Sequence, residues 1–273
     1  MLINFFSRYV TLNRMDSHPT APLLEFDPAR EAILEPRLEP LQGPPVQRVV
    51  LCFFLDVLDA LAAEGRLEQV YTLGSERGKN PVYLLRQDGQ EALVTHPGVG
   101  APLAVGFTEE LIALGGRYFM ACGGCGVLRH EIAVGHPVIL TAAVRDEGTS
   151  YHYLPASREA TPDPAATAAL EAACQEKGID YRLGKAWTTD AFYRETAERR
   201  ARRMEEGCDV VEMEASAFFA VAQFRGVSFG QIVYGGDLVV PEGWDHRGWI
   251  SRVDARRLLF ELAVDAVFRM GKE

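Results

Sequence analysis

The sequence predicts a single α/β domain with helices on both faces of a mostly buried sheet. Three observations carry that expectation. Strand-like and helix-like runs alternate along most of the chain, on the scale of one layered domain. The run Ser228–Tyr234 reads as a buried strand. Hydrophobic residues make up 48% and charged residues 24% of 273 residues, which excludes disordered, collagen-like and coiled-coil classes. The domain is expected to span residues 25–273, after an N-terminal extension over 1–24.

Each element has its own reason. Residues 16–45 hold seven of the fifteen prolines and no clean period, so they read as an extended, wrapping segment. Val46 to Glu64 places Val46, Val49, Val50, Phe53, Phe54, Val57, Leu58 and Leu61 on one helical face, predicting a helix there. Strands at Pro81–Arg86 and Glu91–Thr95 flank an Asp88-Gly89 hairpin signal. A helix then fits Leu103–Leu114, and strands fit Arg117–Cys122 and Pro137–Arg145. Helices follow at Asp163–Lys177, Phe192–Glu206 and Met213–Arg225. Another fits Ile250–Met270, where Leu259, Leu262, Ala263, Ala266 and Val267 keep helical spacing. Five arginines within Arg194–Arg203 are interleaved by Glu195 and Glu198, which reads as a solvated helix face rather than a basic binding patch.

The formal net charge is −10, and the pI is near 5.2. Nucleic-acid affinity rests on Lys and Arg displacing counterions, so no polymer of that kind is expected as a partner. No apolar run reaches the ~18 residues that a membrane-spanning helix needs. Met1 to Arg14 shows helical spacing rather than the solid apolar stretch of a signal peptide, so a soluble cytoplasmic protein is expected. Cys122-Gly123-Gly124-Cys125 forms one CxxC, but no second pair exists to complete four zinc ligands. The cysteines are expected to be small apolar fillers, with no metal bound.

Two glycine clusters stand after neighbouring strand runs: His96-Pro97-Gly98-Val99-Gly100-Ala101-Pro102, and Gly123-Gly124-Cys125-Gly126. Glycine loops at strand ends expose N–H groups that can form an anion nest. Neither matches GxGxxG or GxxxxGK[ST], so dinucleotides and nucleoside triphosphates lose ground. The most specific stretch is Val211-Glu212-Met213-Glu214-Ala215-Ser216. Two glutamates between a strand and a helix are odd in an otherwise apolar context. Either both favour the helix macrodipole, or one faces a pocket as acceptor for a sugar diol while the other is held by the backbone.

Glu212-Met213-Glu214-Ala215 resembles the ribose-binding signature of the nucleoside phosphorylase family, the group of purine nucleoside phosphorylases, uridine phosphorylases and methylthioadenosine nucleosidases. Other segments follow in the family's order over roughly residues 25–270. Phe26-Asp27-Pro28-Ala29-Arg30 is similar to its early phosphate motif, and Gly98–Pro102 to its Gly-Ile-Gly-Gly-Pro turn. Gly123–Gly126 falls on its phosphate loop. Arg145–Tyr153 is similar to a uridine-phosphorylase-like strand end, and Trp187–Tyr193 to the segment before the base-site loop. The resemblance implies a three-layer sandwich with a twisted mixed sheet, assembled as a homo-oligomer (dimer, trimer or hexamer).

It also implies a reaction: cleavage of a nucleoside's N-glycosidic bond by inorganic phosphate to free base and ribose 1-phosphate, without metal or organic cofactor. Hydrolysis by water, or nucleoside binding with weak catalysis, are the alternatives. By the same resemblance Glu214, Met213 and Glu212 hold ribose, and Asp237 protonates the leaving base. Arg30, Gly123, Gly124, Cys125 and Arg77 meet phosphate, Arg77 from across a subunit interface. Gly126, Phe192, Tyr193 and Thr196 line the base. Five departures bear on this: Phe26, Ala121 and Gly124 replace a phosphate-binding glycine, arginine and threonine, and Thr196 and Glu198 replace uracil-reading residues. The presence of Asp237 with those replacements points to a purine rather than uracil. His96 and His152 are expected to be structural, and Trp244, Asp245 and Trp249 to form a lid or pack the last helix.

Overall fold

The computed structural model describes residues 21–41 and 43–271, so the helical spacing of Met1–Arg14 lies outside the described residues. The segment before residue 48 follows the expected extended path, with one 3-10 turn at Pro22–Leu24. The chain then departs from the expected helix. β1 (Arg48–Cys52) is a strand, and α1 (Leu55–Ala63) starts only after it. Val49, Val50, Leu51 and Cys52 are all fully buried between two parallel neighbours. A central parallel strand is apolar on both faces, and such a run fits a helical wheel as well as it fits a strand.

β2 (Leu67–Ser75), β3 (Gly78–Gln87) and β4 (Gln90–Thr95) form an antiparallel meander. The expected hairpin stands, with Asp88 and Gly89 both at positive φ (52° and 73°), as a type I′ turn requires. α2 (Ala101–Ala113), β5 (Tyr118–Val127), β6 (Pro137–Asp146) and the short β7 (Glu159–Ala160) come next. α3 (Pro164–Glu176) has proline in its first turn and is capped by Asp163, whose carboxylate accepts the Ala165 N–H at 2.9 Å. β8 (Arg182–Thr189), α4 (Ala197–Glu205), β9 (Cys208–Glu212) and α5 (Ala215–Arg225) lead to β10 (Ser228–Val240), β11 (Gly243–Asp245) and α6 (Val253–Arg269).

The strands make one mixed sheet in the order β11-β10-β6-β8-β9-β5-β1-β4-β3-β2, with β7 on β6. β10 also pairs β5, so β5, β10, β6, β8 and β9 close into a ring. Two apolar cores cover the sheet. One lies under α2 and α5 and includes Phe119, Phe218, Phe219 and Phe229; the other lies under α1, α3 and α6. Cys125 belongs to the first and Cys122 to the second, as residues three apart on a strand must point to opposite faces. The CxxC therefore cannot close on itself, and burial pushes both thiols well above the ordinary range. Among the described residues no three His, Cys, Asp or Glu side chains gather as a metal site. No described helix is long and apolar enough to cross a membrane.

The second glycine cluster is a correction. Gly123-Gly124-Cys125-Gly126 is not a loop after β5 but the last part of β5 itself. Its glycines admit close neighbours: a Cβ on Gly123 would stand 3.1 Å from the Phe53 ring, and one on Gly126 2.9 Å from Val211. β10 pairs one edge of this stretch. On the other edge β1 ends opposite Cys122, and antiparallel β9 pairs only from Gly126 onward, with Val211 near its own end opposite Gly126. Gly123, Gly124 and Cys125 thus face a gap between two partner strands.

Candidate functional site

The gap in the sheet lies where β9 hands over to α5, and the two glutamates stand there. Glu212 ends β9 fully inside the protein. Its Oε2 accepts the N–H groups of Glu214 and Ala215, both at 2.7 Å, and its Oε1 accepts the Thr188 hydroxyl at 2.5 Å. These are amides that the first turn of a helix leaves unpaired, so Glu212 serves the start of α5. The network continues outward. Ser216 N–H donates to the Thr188 oxygen at 3.0 Å, its hydroxyl donates to Glu147 at 2.8 Å, and Glu147 also accepts the Ser150 N–H at 2.9 Å. Thr188 and Glu147 are buried positioning residues that lie inside two of the segments carrying the resemblance but were given no role from the sequence.

Glu214 is the N-cap residue of α5 and is 5% exposed. Its side chain does not cap its own helix; Oε1 instead accepts the Gly100 N–H at 2.5 Å. Burial first, and the Glu212 charge second, raise Glu214 above the usual carboxylate range. Of the two readings left open by the sequence, the geometry separates the pair: Glu212 is tied to the backbone at the start of α5, and Glu214 crosses to the Gly98-Val99-Gly100 turn, with the Met213 backbone also bonding its carboxylate. Met213 lies between them, half-buried.

The turn that meets Glu214 is held by His96. Its Nδ1 accepts the Gly98 N–H at 3.0 Å, its ring bonds the Phe53 backbone, and the Phe53 ring meets it edge-on at 5.7 Å. Burial and the nearby Arg77 charge lower it to about 4, so it is a neutral structural histidine at pH 7. Gly98 and Gly100 sit at φ of 84° and 91°, where a side chain is strained. Arg77 acts on His96 from the β2–β3 hairpin of the same chain.

Asp237 lies inside β10, within the irregularity between Gly235 and Leu238, and is half-buried. Its Oδ2 accepts the Trp244 indole N–H at 2.6 Å and stands 3.6 Å from the position a Cβ on Gly126 would take. Gly126 pairs with Val211, one residue before Glu212. Glu214, Gly126 and Asp237 therefore belong to one surface around the gap. Trp244 is 63% exposed on the β10–β11 hairpin, placed to cover Asp237.

Other expected residues sit elsewhere. Arg30 lies over the Phe224 ring, 4.5 Å from its centre. Phe224 is near the C-terminal end of α5, about 15 Å along the helix from Glu214 at 1.5 Å per residue. Ala121 is fully buried in the core beneath α5. Phe192 and Tyr193 pack on each other at 4.2 Å and remain 50% and 89% exposed. Thr196 caps α4, accepting the Arg199 N–H at 3.3 Å. The expected single helix Phe192–Glu206 is a 3-10 turn at Phe192–Arg194 followed by α4. Its arginines are not all solvated: Arg203 is buried against Trp187 and bonds Asp146 at 2.9 Å. Glu195, set aside as one charge of that face, is half-buried beyond the start of the helix.

A buried carboxylate opening a helix at a break in a mixed sheet is joined by a matching family profile. The profile described as the phosphorylase superfamily matches residues 47–267. The chain belongs to the phosphorylase superfamily. It is 34% identical over 145 residues to the guanosine phosphorylase of Halorubrum lacusprofundi, covering 53% of this chain and 60% of that protein. It is 32% identical over 159 residues to the uridine phosphorylase of Haemophilus influenzae, covering 53% and 63%. The matched region thus spans about three-fifths of each relative's length. The fold is shared with the purine nucleoside phosphorylase of Toxoplasma gondii in complex with immucillin-H, at TM-score 0.70, 23% identity and coverage of 83% and 91%. It is also shared with the AMP nucleosidase of Bacteroides thetaiotaomicron, at TM-score 0.66, 22% identity and coverage of 82% and 87%.

Proposed function

We propose that the protein is a nucleoside phosphorylase, cleaving the N-glycosidic bond of a purine nucleoside with inorganic phosphate to free base and ribose 1-phosphate. The observation that carries this reading is Glu214: a buried carboxylate that leaves its own helix uncapped and is held by the Gly100 N–H beside the gap in the sheet, as an acceptor for a sugar diol. Burial and the Glu212 charge hold Glu214 above the usual carboxylate range, and its anionic form also favours the positive ribosyl centre of an oxocarbenium-like transition state. Met213 supplies a polarizable apolar wall at the sugar. Asp237 and Gly126 mark the base end, and the open edge of Gly123–Cys125 is the phosphate end. The named relatives act on guanosine and on uridine; the base-end carboxylate is the reason for choosing a purine here.

The cation for phosphate is the part least supplied by one chain, because Arg30 faces Phe224 and Ala121 is core. Arg77, next to His96, is the guanidinium we assign to the phosphate end. The same shortage favours one second reading, hydrolysis by water. We further propose a cytoplasmic homo-oligomer working without metal or organic cofactor. Val99 and Trp244 support assembly, since they leave large apolar surface open beside the site. Incubating the protein with a nucleoside panel, with and without phosphate, and chromatographing the products tests the reading. Base release that saturates with phosphate supports it; release indifferent to phosphate means hydrolysis.

A further inference from the structure

An apolar ring stands at the phosphate end of the gap. Phe53 follows β1 directly, and its N–H donates to the Cys122 carbonyl at 3.0 Å, so the chain runs beside β5 as far as the gap. Its side chain then lies on Gly123. A Cβ there would stand 3.1 Å from Cδ2 of the ring, 3.5 Å from Cγ and 3.6 Å from the Phe53 Cβ. Ala121 and Cys125 both belong to the core under α5, so Gly123 opens to that same face, where Phe53 also packs. The ring therefore covers the Gly123 end of the gap from the side on which α5 begins.

Two neighbours fix the ring there. The His96 ring meets it edge-on at 5.7 Å, and the Phe218 ring meets it at a tilt, 6.4 Å away. Both neighbours also support Glu214. Phe218, one turn into α5, donates its N–H to the Glu214 carbonyl at 3.0 Å. His96 holds the turn whose Gly100 N–H reaches the Glu214 carboxylate, and being neutral at pH 7 it adds no positive charge. Phe53 thus stands between the carboxylate assigned to ribose and the strand edge assigned to phosphate.

An oxyanion entering such a site sheds water, and only donors or positive charge offset that cost. A phenyl ring supplies neither, since its face carries the negative side of the ring quadrupole. Its bulk also blocks the close backbone approach that a residue without a side chain permits. We propose that Phe53 sets the affinity of the site for phosphate: it fills the Gly123 part of the phosphate end, so that phosphate binds weakly and only along Gly124 and Cys125. This rests on the phosphorylase reading above.

The test compares wild type with Phe53→Ala, which removes the ring, and Phe53→Leu, which keeps apolar bulk. The readouts are KM for phosphate, KM for a purine nucleoside, and the Kd of the nucleoside-free protein for inorganic phosphate by isothermal titration calorimetry. An oxyanion oxygen that regains one charge-assisted hydrogen bond gains roughly one to two decades in affinity. Phe53→Ala should therefore lower both phosphate constants by about tenfold or more, while the nucleoside KM moves by less than about threefold. Phe53→Leu should stay within about threefold of wild type in all three. A ring that only supports the fold predicts instead a lower melting temperature or kcat with the phosphate constants unchanged or raised, and that result overturns the proposal. A drop in Phe53→Leu equal to that in Phe53→Ala overturns it too. Should Phe53→Ala fail to fold, Phe53→Val carries the same comparison: a tighter phosphate Kd supports the proposal and an unchanged one refutes it. Wild type releasing no base from any nucleoside refutes the phosphorylase reading, whereas the calorimetric comparison still decides the role of Phe53.

Discussion

Replacing Glu214 by Gln tests the sugar clamp with almost no change in shape. Glu214 is 5% exposed, and one oxygen is already engaged by Gly100 N–H at 2.5 Å. A glutamine can keep that contact with its carbonyl oxygen, so the turn should survive. What it loses is the second acceptor, where Oε2 becomes an NH2 that cannot accept from a sugar hydroxyl. One charged hydrogen bond contributes about 1.5–3 kcal/mol. Adding the lost attraction for the ribosyl cation brings the expected penalty to about 2–4 kcal/mol in barrier, as for other transition-state contacts. At 1.36 kcal/mol per decade, kcat/KM should fall roughly 30- to 1000-fold. The assay is kcat/KM for a purine nucleoside and for its 2′,3′-dideoxy counterpart, in wild type and variant. The dideoxy substrate lacks the diol, so the variant should cost it clearly less. Unchanged turnover on the ribonucleoside, or equal losses on both substrates, would refute the clamp.

The same variant should alter pH-dependent stability. Burial holds Glu214 above the ordinary value of 4.5, so between about pH 5 and 8 the unfolded chain has released a proton that the fold retains. Wild-type stability should be full below the unfolded value and fall as pH rises through that window, by at most about 1.4 kcal/mol per unit for each proton, and Glu214→Gln should lessen this slope in urea titrations, the part from the buried Glu212 remaining. His96→Ala should leave the Gly98 N–H without its 3.0 Å acceptor, costing about 1–3 kcal/mol and lowering activity through the Gly100–Glu214 contact, read by unfolding and by KM. Gly126→Ala would set a Cβ 2.9 Å from Val211 and 3.2 Å from Val239, so it should destabilise by about 1–3 kcal/mol and disturb Asp237, lowering kcat on nucleosides. Phe218→Ala, in the stack with Phe229 at 4.8 Å, should destabilise by about 3–5 kcal/mol, visible in thermal melts.

The layered α/β class was legible because helical and strand periods survive wherever one face meets solvent, as in α3 and α6. It failed at β1, where burial on both faces erased the period and Val49–Cys52 fitted a helix equally well. It failed also at Gly123–Gly126, where glycine signals a loop in sequence but here lets Phe53, Tyr234 and Val211 press onto a strand. The glutamate pair was legible as charge in an apolar setting, and its division of roles came only from the contacts. Thr188 and Glu147 lay inside matched segments, but their role went unread, since a hydroxyl and a carboxylate near strand ends are common. Glu195 was hidden among alternating charges, and only the fold shows that it lies ahead of the helix.

The central claim, transfer of the ribosyl group to phosphate, is tested most directly by phosphorus-31 NMR of the protein incubated with a purine nucleoside and inorganic phosphate. The account predicts loss of inorganic phosphate and growth of a sugar-phosphate resonance in one-to-one ratio with the free base measured chromatographically. Free base appearing while the phosphate signal stays constant would contradict it.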